Sequence, residues 1–224
     1  MLQDTPVACV DLDVATRNIA RMQAYCDEHG LACRPHVKTH KLPLLAHEQV
    51  RAGAVGITCQ KLEEAFVMAR AGLGDILVAY PLVGPVKAGR LAQLARLATV
   101  TVAADSAEVA RGLSSALADH GQQISFLVEC DTGLGRTGVQ DAAGALELAR
   151  LVDSLPGLRL GGLMTYPTSA ASGPFFEAAV AALRDAGLEA PVVSGGGTET
   201  AFSTHETPVI TELRPGTYVY GDRA

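Results

Sequence analysis

The chain has 224 residues, 48% of them hydrophobic and only 4% aromatic, with 23 glycines and a formal net charge of −6. No basic stripe interleaved with aromatics appears, which argues against nucleic acid as a partner, and no apolar run approaches the ~18 residues of a membrane span. Five widely spread cysteines (Cys9, Cys26, Cys33, Cys59, Cys130) form no CxxC pair, so neither a disulfide framework nor a zinc cluster is indicated, and reduced thiols in the cytoplasm are expected.

The opening stretch, residues 1–6, has no signal-peptide character. A leading strand is predicted at 7–10, then a helix that Asp13 caps and that carries Ile19, Met22 and Cys26 on one face. Further strands are predicted at 31–36, 55–59, 75–80, 99–103, 124–131, 158–165, 191–194 and 209–213. Helical patterns lie between them at 62–71, 86–98, 107–119, 142–154 and 175–186. Asp105-Ser106-Ala107-Glu108 has the form of a capping box, and Leu91, Leu94 and Leu97/Ala98 repeat at helical spacing. About eight β-then-α units predict an α/β fold with a parallel sheet, and their number favours a closed (β/α)8 TIM barrel over an open doubly wound sheet. Residues 1–224 read as one domain without a linker. The chain stops at Gly221-Asp222-Arg223-Ala224, directly after the last strand and without a covering helix, so a further segment is expected to follow.

Chemistry in a parallel barrel sits at the carboxyl ends of the strands. The run Arg34-Pro35-His36-Val37-Lys38-Thr39-His40-Lys41 puts a lysine just past the first of them. Desolvation and the neighbouring Arg34, His36, His40 and Lys41 would lower its pKa and free a nucleophilic amine; a solvated basic loop is the alternative. The second strand ends at Cys59-Gln60-Lys61, the fifth in Glu129-Cys130-Asp131-Thr132-Gly133-Leu134-Gly135-Arg136, and the sixth in Met164-Thr165-Tyr166-Pro167. Ser194-Gly195-Gly196-Gly197-Thr198 closes the seventh and Glu212-Leu213-Arg214-Pro215-Gly216-Thr217-Tyr218 the eighth. The triple glycine before Thr198 can wrap backbone N–H groups around an oxyanion, at the usual phosphate position of a barrel, or can be a plain turn. With Gly216-Thr217 beside it and a candidate imine lysine across the barrel, pyridoxal 5′-phosphate is the economical ligand. Glu129 and Asp131 alternate on one strand and so share a face, either as an acid/base pair or to orient Arg136. His205 is either a ligand or base, or a solvated loop residue.

In this order, over nearly the whole chain, these pieces resemble the fold-type III pyridoxal-phosphate enzymes, specifically the D-threonine aldolase and D-serine dehydratase group with its alanine racemase N-terminal type of barrel. The resemblance implies that Lys38 forms the Schiff base and later acts as acid/base at the substrate α-carbon. It implies that Gly196, Gly197, Thr198, Gly216 and Thr217 hold the phosphate, that Arg136 donates to the cofactor's phenolic oxygen, and that Tyr166 approaches the ring. Gln60 either lines the pocket or orders a strand-end turn. Two departures stand out. Arg214-Pro215-Gly216 is closer to alanine racemase, where the matching arginine faces the pyridine nitrogen and weakens the ring as an electron sink; otherwise Arg214 pairs with Glu212 or Asp222. In the aldolases and dehydratases a C-terminal β-rich domain supplies divalent-metal ligands, and that domain is absent from this chain, which offers no replacement pair. The implied activity is that of a lyase on a small β-hydroxy-D-amino acid, with a homodimer expected; the chain alone is expected to bind the cofactor but turn over poorly. An amino-acid racemase is the alternative that Arg214 favours and the lack of a second-face base opposes. A non-catalytic pyridoxal-phosphate carrier of the homeostasis type, to which Gly162-Leu163-Met164 is similar, is the other.

Overall fold

The computed structural model describes Val7 and residues 9–221. Helix α1 (Leu12–Glu28) begins where the Asp11 carboxylate accepts from the Val14 N–H at 3.0 Å. Its residues Ala15, Ile19, Met22 and Cys26, three or four apart, are buried as one face. The cap is therefore Asp11, and the expected cap Asp13 sits in the first turn, where its charge complements the macrodipole. The leading strand is not observed: Val7, Cys9 and Val10 are irregular, and Ala8 lies outside the described residues. Val7 and Val10 are exposed.

The sheet consists of β1 (Ala32–Cys33), β2 (Ile57–Cys59), β3 (Asp75–Val78), β4 (Thr99–Ala104), β5 (Ile124–Cys130), β6 (Leu158–Thr165), β7 (Val192–Gly196) and β8 (Glu212–Arg214). All pairings are parallel, in the order β1-β8-β7-β6-β5-β4-β3-β2, so the first strand lies beside the last, with Ala32 opposite Glu212. The two remaining edges also meet. Val55 N–H donates to the Cys33 carbonyl at 2.9 Å, Thr58 N–H donates to that of Pro35 at 2.8 Å, and His36 bridges Thr58. An open doubly wound sheet keeps its first and last strands apart; this one curls round on itself, consistent with a TIM-like barrel.

Helices alternate with the strands: α2 (Pro43–Ala52), α3 (Leu62–Arg70), α4 (Pro85–Leu94), α5 (Ala107–Ala118), α6 (Ala142–Ser154) and α7 (Ser172–Asp185). Ser106 caps α5 by accepting from Val109 N–H, as the box pattern predicts. Helix α2 is not among the predicted segments, although proline at its start and Gly53 at φ 125° past its end mark both boundaries. Helix α4 stops at Leu94, short of the predicted end at Ala98, and Leu97 faces solvent in the turn that follows.

Large side chains such as Phe126, Phe176, Leu91 and Leu113 fill the layer between sheet and helices, while Leu77, Ala103, Leu127 and Met164 form a smaller cluster of their own. A buried polar chain runs from the carboxyl end of β8 to the start of β3. Arg214 Nη1 donates to Ser194 Oγ at 2.5 Å, Ser194 Oγ to Glu212 Oε1 at 2.6 Å, and Arg34 Nε to Glu212 Oε2 at 2.7 Å, with Arg34 Nη1 on Asp75 Oδ1 at 2.5 Å. Cys26, Cys33, Cys59 and Cys130 are buried free thiols, and burial pushes Cys59 and Cys130 up to about 12. No helix among the described residues is long and apolar enough to cross a membrane.

Candidate active site

After β1 the backbone stays beside β8, with His36 N–H on the Pro215 carbonyl at 2.8 Å, and then tightens into a short 3-10 turn, Val37–Thr39. His36 caps that turn, its Nδ1 accepting from Lys38 N–H at 3.3 Å. The Lys38 ammonium is thereby held 5.3 Å from the centre of the Tyr166 ring, and Arg136 lies 5.3 Å from the same centre. Burial, together with Arg136 and Arg214, lowers the Lys38 pKa, against a smaller opposing pull from Glu64. This corrects the source of the field. Arg34 is tied to Glu212 and Asp75, Lys41 pairs with Glu64, His40 hydrogen-bonds Gln49, and His36 is itself held neutral by burial and by Lys38. The cations that act on Lys38 come from β8 and the loop after β5, far away in sequence.

Two arms of one cleft meet at His36, Lys38, Tyr166 and Arg214. The larger, about 440 Å³, extends past Gln60, Glu129 and Arg136; the smaller, about 240 Å³, reaches Gly197, Thr198, Thr200, Gly216 and Thr217. Gln60 serves both readings, since its N–H donates to Glu64 Oε2 at 2.9 Å while the residue lines the larger arm. Arg214 is fully enclosed, with Nη1 on Ser194 and Nη2 on the Thr165 carbonyl at 2.6 Å. Burial brings it down to about 10, against the pull of Glu212 and Glu129, so it stays a cation at neutral pH. It reaches Glu212 through Ser194 and not by direct pairing; Asp222 lies outside the described residues.

The glycine turn differs from expectation in one respect. Gly196 N–H already donates to Thr168 Oγ1 at 3.0 Å, and a Cβ there would stand 2.7 Å from Arg214 Nη2, so this glycine admits the arginine instead of offering a donor. Gly216 N–H is likewise used, on Thr198 Oγ1 at 3.1 Å. Among the described residues the N–H groups of Gly197, Thr198 and Thr217 make no hydrogen bond, and the buried Thr200 hydroxyl has no partner. Thr200 escaped the sequence reading, although it lies only two residues beyond Thr198.

Glu129 and Asp131 do not form a pair. Asp131 points to the loop, where it accepts from the N–H groups of Gly133, Leu134 and Gly135, which lowers its pKa. Glu129 is buried in the larger arm, its pKa raised by desolvation. His205 is outside the cleft: it hydrogen-bonds the Tyr25 hydroxyl at 2.8 Å and stacks on His29.

A phosphorylated aromatic aldehyde suits this donor set. A lysine with lowered pKa stands beside an aromatic face, and the adjoining arm carries unpaired amides and an orphaned buried hydroxyl suited to an oxyanion. Among the described residues no three His, Cys, Asp or Glu side chains gather to hold a metal ion.

A testable consequence of the buried histidines concerns acid. His36 and His40 both have pKa values lowered by burial, so the unfolded chain binds protons more readily than the folded one. Stability present above the ordinary histidine pKa of about 6.5 should be lost as pH falls below it. Thermal melts from pH 7.5 down to pH 5.5 should show a smaller decline for His36→Asn, which keeps an acceptor for Lys38 N–H but cannot titrate. Equal slopes would remove His36 from the account.

The family described as the alanine racemase N-terminal domain matches residues 10–224. A D-threonine aldolase from an Arthrobacter species is 40% identical over 233 residues, covering 98% of this chain and 62% of that protein. A D-threo-3-hydroxyaspartate dehydratase from a Delftia species is 37% identical, over 98% of this chain and 62% of the relative. The crystal structure of D-threonine aldolase from Filomicrobium marinum superposes with a TM-score of 0.94 at 37% identity, over 98% of this chain and 63% of that one. The chain thus spans less than two thirds of the length of these relatives.

Proposed function

The chain belongs to the alanine racemase N-terminal domain family, and from that premise we propose that it is a closed (β/α)8 barrel binding pyridoxal 5′-phosphate and serving a lyase of β-hydroxy-D-amino acids. The observation that carries this reading is the Lys38 amine, its pKa lowered, at the junction of the two arms. When bound, pyridoxal phosphate supplies an aldehyde for the lysine and a conjugated ring that draws electrons from the amino acid's α-carbon.

The chain's residues divide the remaining work. The smaller arm binds the phosphate, through the N–H groups of Gly197, Thr198 and Thr217 and the Thr200 hydroxyl, with Gly216 and Gly196 shaping its walls. Tyr166 presents its ring to the cofactor plane, Arg136 donates to the phenolic oxygen, and Gln60 lines the wall beyond. Arg214, oriented by Ser194 and the Thr165 carbonyl, faces the ring nitrogen and keeps its own protons. Lys38 Nζ, its pKa lowered by burial and by Arg136 and Arg214, carries a proton to or from the substrate's α-carbon. Cleavage between α- and β-carbons, with the hydroxyl proton removed and the α-carbon reprotonated, yields glycine and an aldehyde; loss of the α-proton and the hydroxyl as water gives an enamine, which tautomerises and is hydrolysed by water to a keto acid and ammonia. The divalent metal implied by the resemblance finds no ligand cluster among the described residues, and no step is assigned to it. Exposed apolar side chains, Val83 and Leu134 in the loops after β3 and β5 and Val86 in the first turn of α4, support a covered cleft mouth and a homodimer.

Incubation with D-threonine should release glycine and acetaldehyde faster than free pyridoxal phosphate does, and L-threonine should not. Racemisation of D-alanine without aldehyde release would put the racemase reading, which Arg214 favours, in its place. The phosphate arm has its own test. Thr200→Val, isosteric but without a hydroxyl, should weaken pyridoxal phosphate by roughly tenfold while leaving pyridoxal unchanged. Equal losses for both ligands would point to a general disturbance of the cleft.

A further inference from the structure

The opposite end of the barrel carries a cavity that the chemistry above does not use. At the amino ends of β3 to β7 a hollow of about 790 Å³ opens to solvent. An interior cluster of Leu77, Ala103, Leu127 and Met164 separates it from the cleft: Met164 lines the cleft, while Val192, packed on the same cluster, lines the hollow. A barrel of this type fills its interior with layers of bulky branched side chains. Below the cluster this one does not. Thr101 and Ser125 stand two residues before Ala103 and Leu127 on their strands and share the same inward face, and Arg159 pairs with Ser125 in register. Strand β6 bulges at Gly161, where a Cβ would collide with Ser125 Oγ, so the glycine leaves room for that hydroxyl.

Charge sharpens the picture. Three arginines line the hollow, Arg34, Arg96 and Arg159, against a single carboxylate, Asp75. Arg34 is 12% exposed and fixed in place, with Nε on Glu212 at 2.7 Å and Nη1 on Asp75 at 2.5 Å. Gly56 admits its guanidinium, since a Cβ there would collide with Nη1. Asp75 is thus already answered by Arg34. Arg96 and Arg159 are exposed and form no ion pair among the described residues. On a chain of net charge −6, two unpaired guanidiniums at a hydroxyl-bearing hollow gather anions locally. No aromatic side chain lines it, so a nucleobase would find nothing to stack on.

We propose that the hollow at the amino end of the barrel binds a small organic dianion, a phosphate ester or a dicarboxylate. Arg96 and Arg159 take its two charges, and the Thr101 and Ser125 hydroxyls donate to its remaining oxygens. The planar fork of a guanidinium matches both phosphate and carboxylate oxygens, which makes this oxyanion chemistry common to the two ligands. The hollow is larger than the oxyanion alone needs and leaves space for an organic remainder against Val192. This site lies apart from Lys38 and does not rest on the cofactor reading above.

Titration of inorganic phosphate and of malonate, each against sodium chloride at matched ionic strength, tests the proposal through the rise in Tm. The protein is used with pyridoxal phosphate reduced onto Lys38 and free cofactor removed, so that the phosphate arm is filled; a chain that takes up no cofactor is titrated as it stands. A saturable rise with at least one of the two anions is expected. The double variant Arg96→Gln/Arg159→Gln should weaken that binding by about tenfold or more. Arg17→Gln/Arg150→Gln removes the same charge from two exposed arginines elsewhere and should bind as the parent does. Stronger binding of phosphate would identify a phosphate ester as the ligand, and stronger binding of malonate a dicarboxylate. A rise that never saturates, or equal weakening in both arginine pairs, would overturn the inference, because net charge alone would then account for the effect. Binding that survives Arg96→Gln/Arg159→Gln in full would overturn it as well, by placing the anion elsewhere.

Discussion

Lys38→Ala is expected to abolish the imine absorbance of added pyridoxal phosphate and to lower kcat/KM for a β-hydroxy-D-amino acid by roughly a thousandfold or more. The amine is one of the groups at which both arms meet, and among the described residues no other lysine lines either arm. Affinity for the cofactor should fall far less than turnover, because the phosphate arm is untouched. Lys38→Arg sharpens the test. It returns a cation to the space between Tyr166 and Arg214, but a guanidinium keeps its protons and cannot form the imine. It should therefore be as inactive as the alanine variant. An arginine variant that retained the absorbance band, or an alanine variant within tenfold of the parent, would move the chemistry to another residue.

The second large effect falls on stability. Arg214→Met should destabilise the fold by about 3–5 kcal/mol, because Ser194 Oγ and the Thr165 carbonyl lose buried donors and Glu212, which keeps Arg34 and the Ser194 hydroxyl, loses a neighbouring cation. For a chain of this size that is a fall in Tm of roughly 10 °C, readable by calorimetry or urea melts. Arg214→Lys should lose less, since it restores a cation but not the two-pronged fork. A methionine variant as stable as the parent would mean that the buried polar chain from Arg214 to Asp75 contributes specificity and no net stability.

The eight strands of the sheet were legible because each is a short β-rich run between turn residues, and their parallel order follows once helices alternate with them; the leading run at 7–10 had the same apolar look but forms no strand. The helix after the lysine loop was not, although Pro43 and Gly53 mark its ends; a short amphipathic segment with polar Gln49 on its buried side gives a weak periodic signal. The cap of α1 slipped by two residues because Asp11 and Asp13 both precede the apolar face, and only geometry shows which carboxylate meets an N–H. For the site, lysine, aromatic ring and glycine turn could be read from their positions at strand ends. What surrounds Lys38 could not. The run of nearby basic residues suggested a local field, yet each is paired or neutral, while Arg136 and Arg214 arrive from other strands. Gly196 had the right spacing for a donor, but its N–H is already given to Thr168, a contact that sequence cannot show.

The most direct measurement of the central claim is borohydride reduction of the protein with pyridoxal phosphate, followed by mapping of the labelled peptide. Label on Lys38 is the expected result. Label on Lys41, which pairs with Glu64, or on Lys61, at the start of α3, would contradict the assignment of the active amine to the turn after β1.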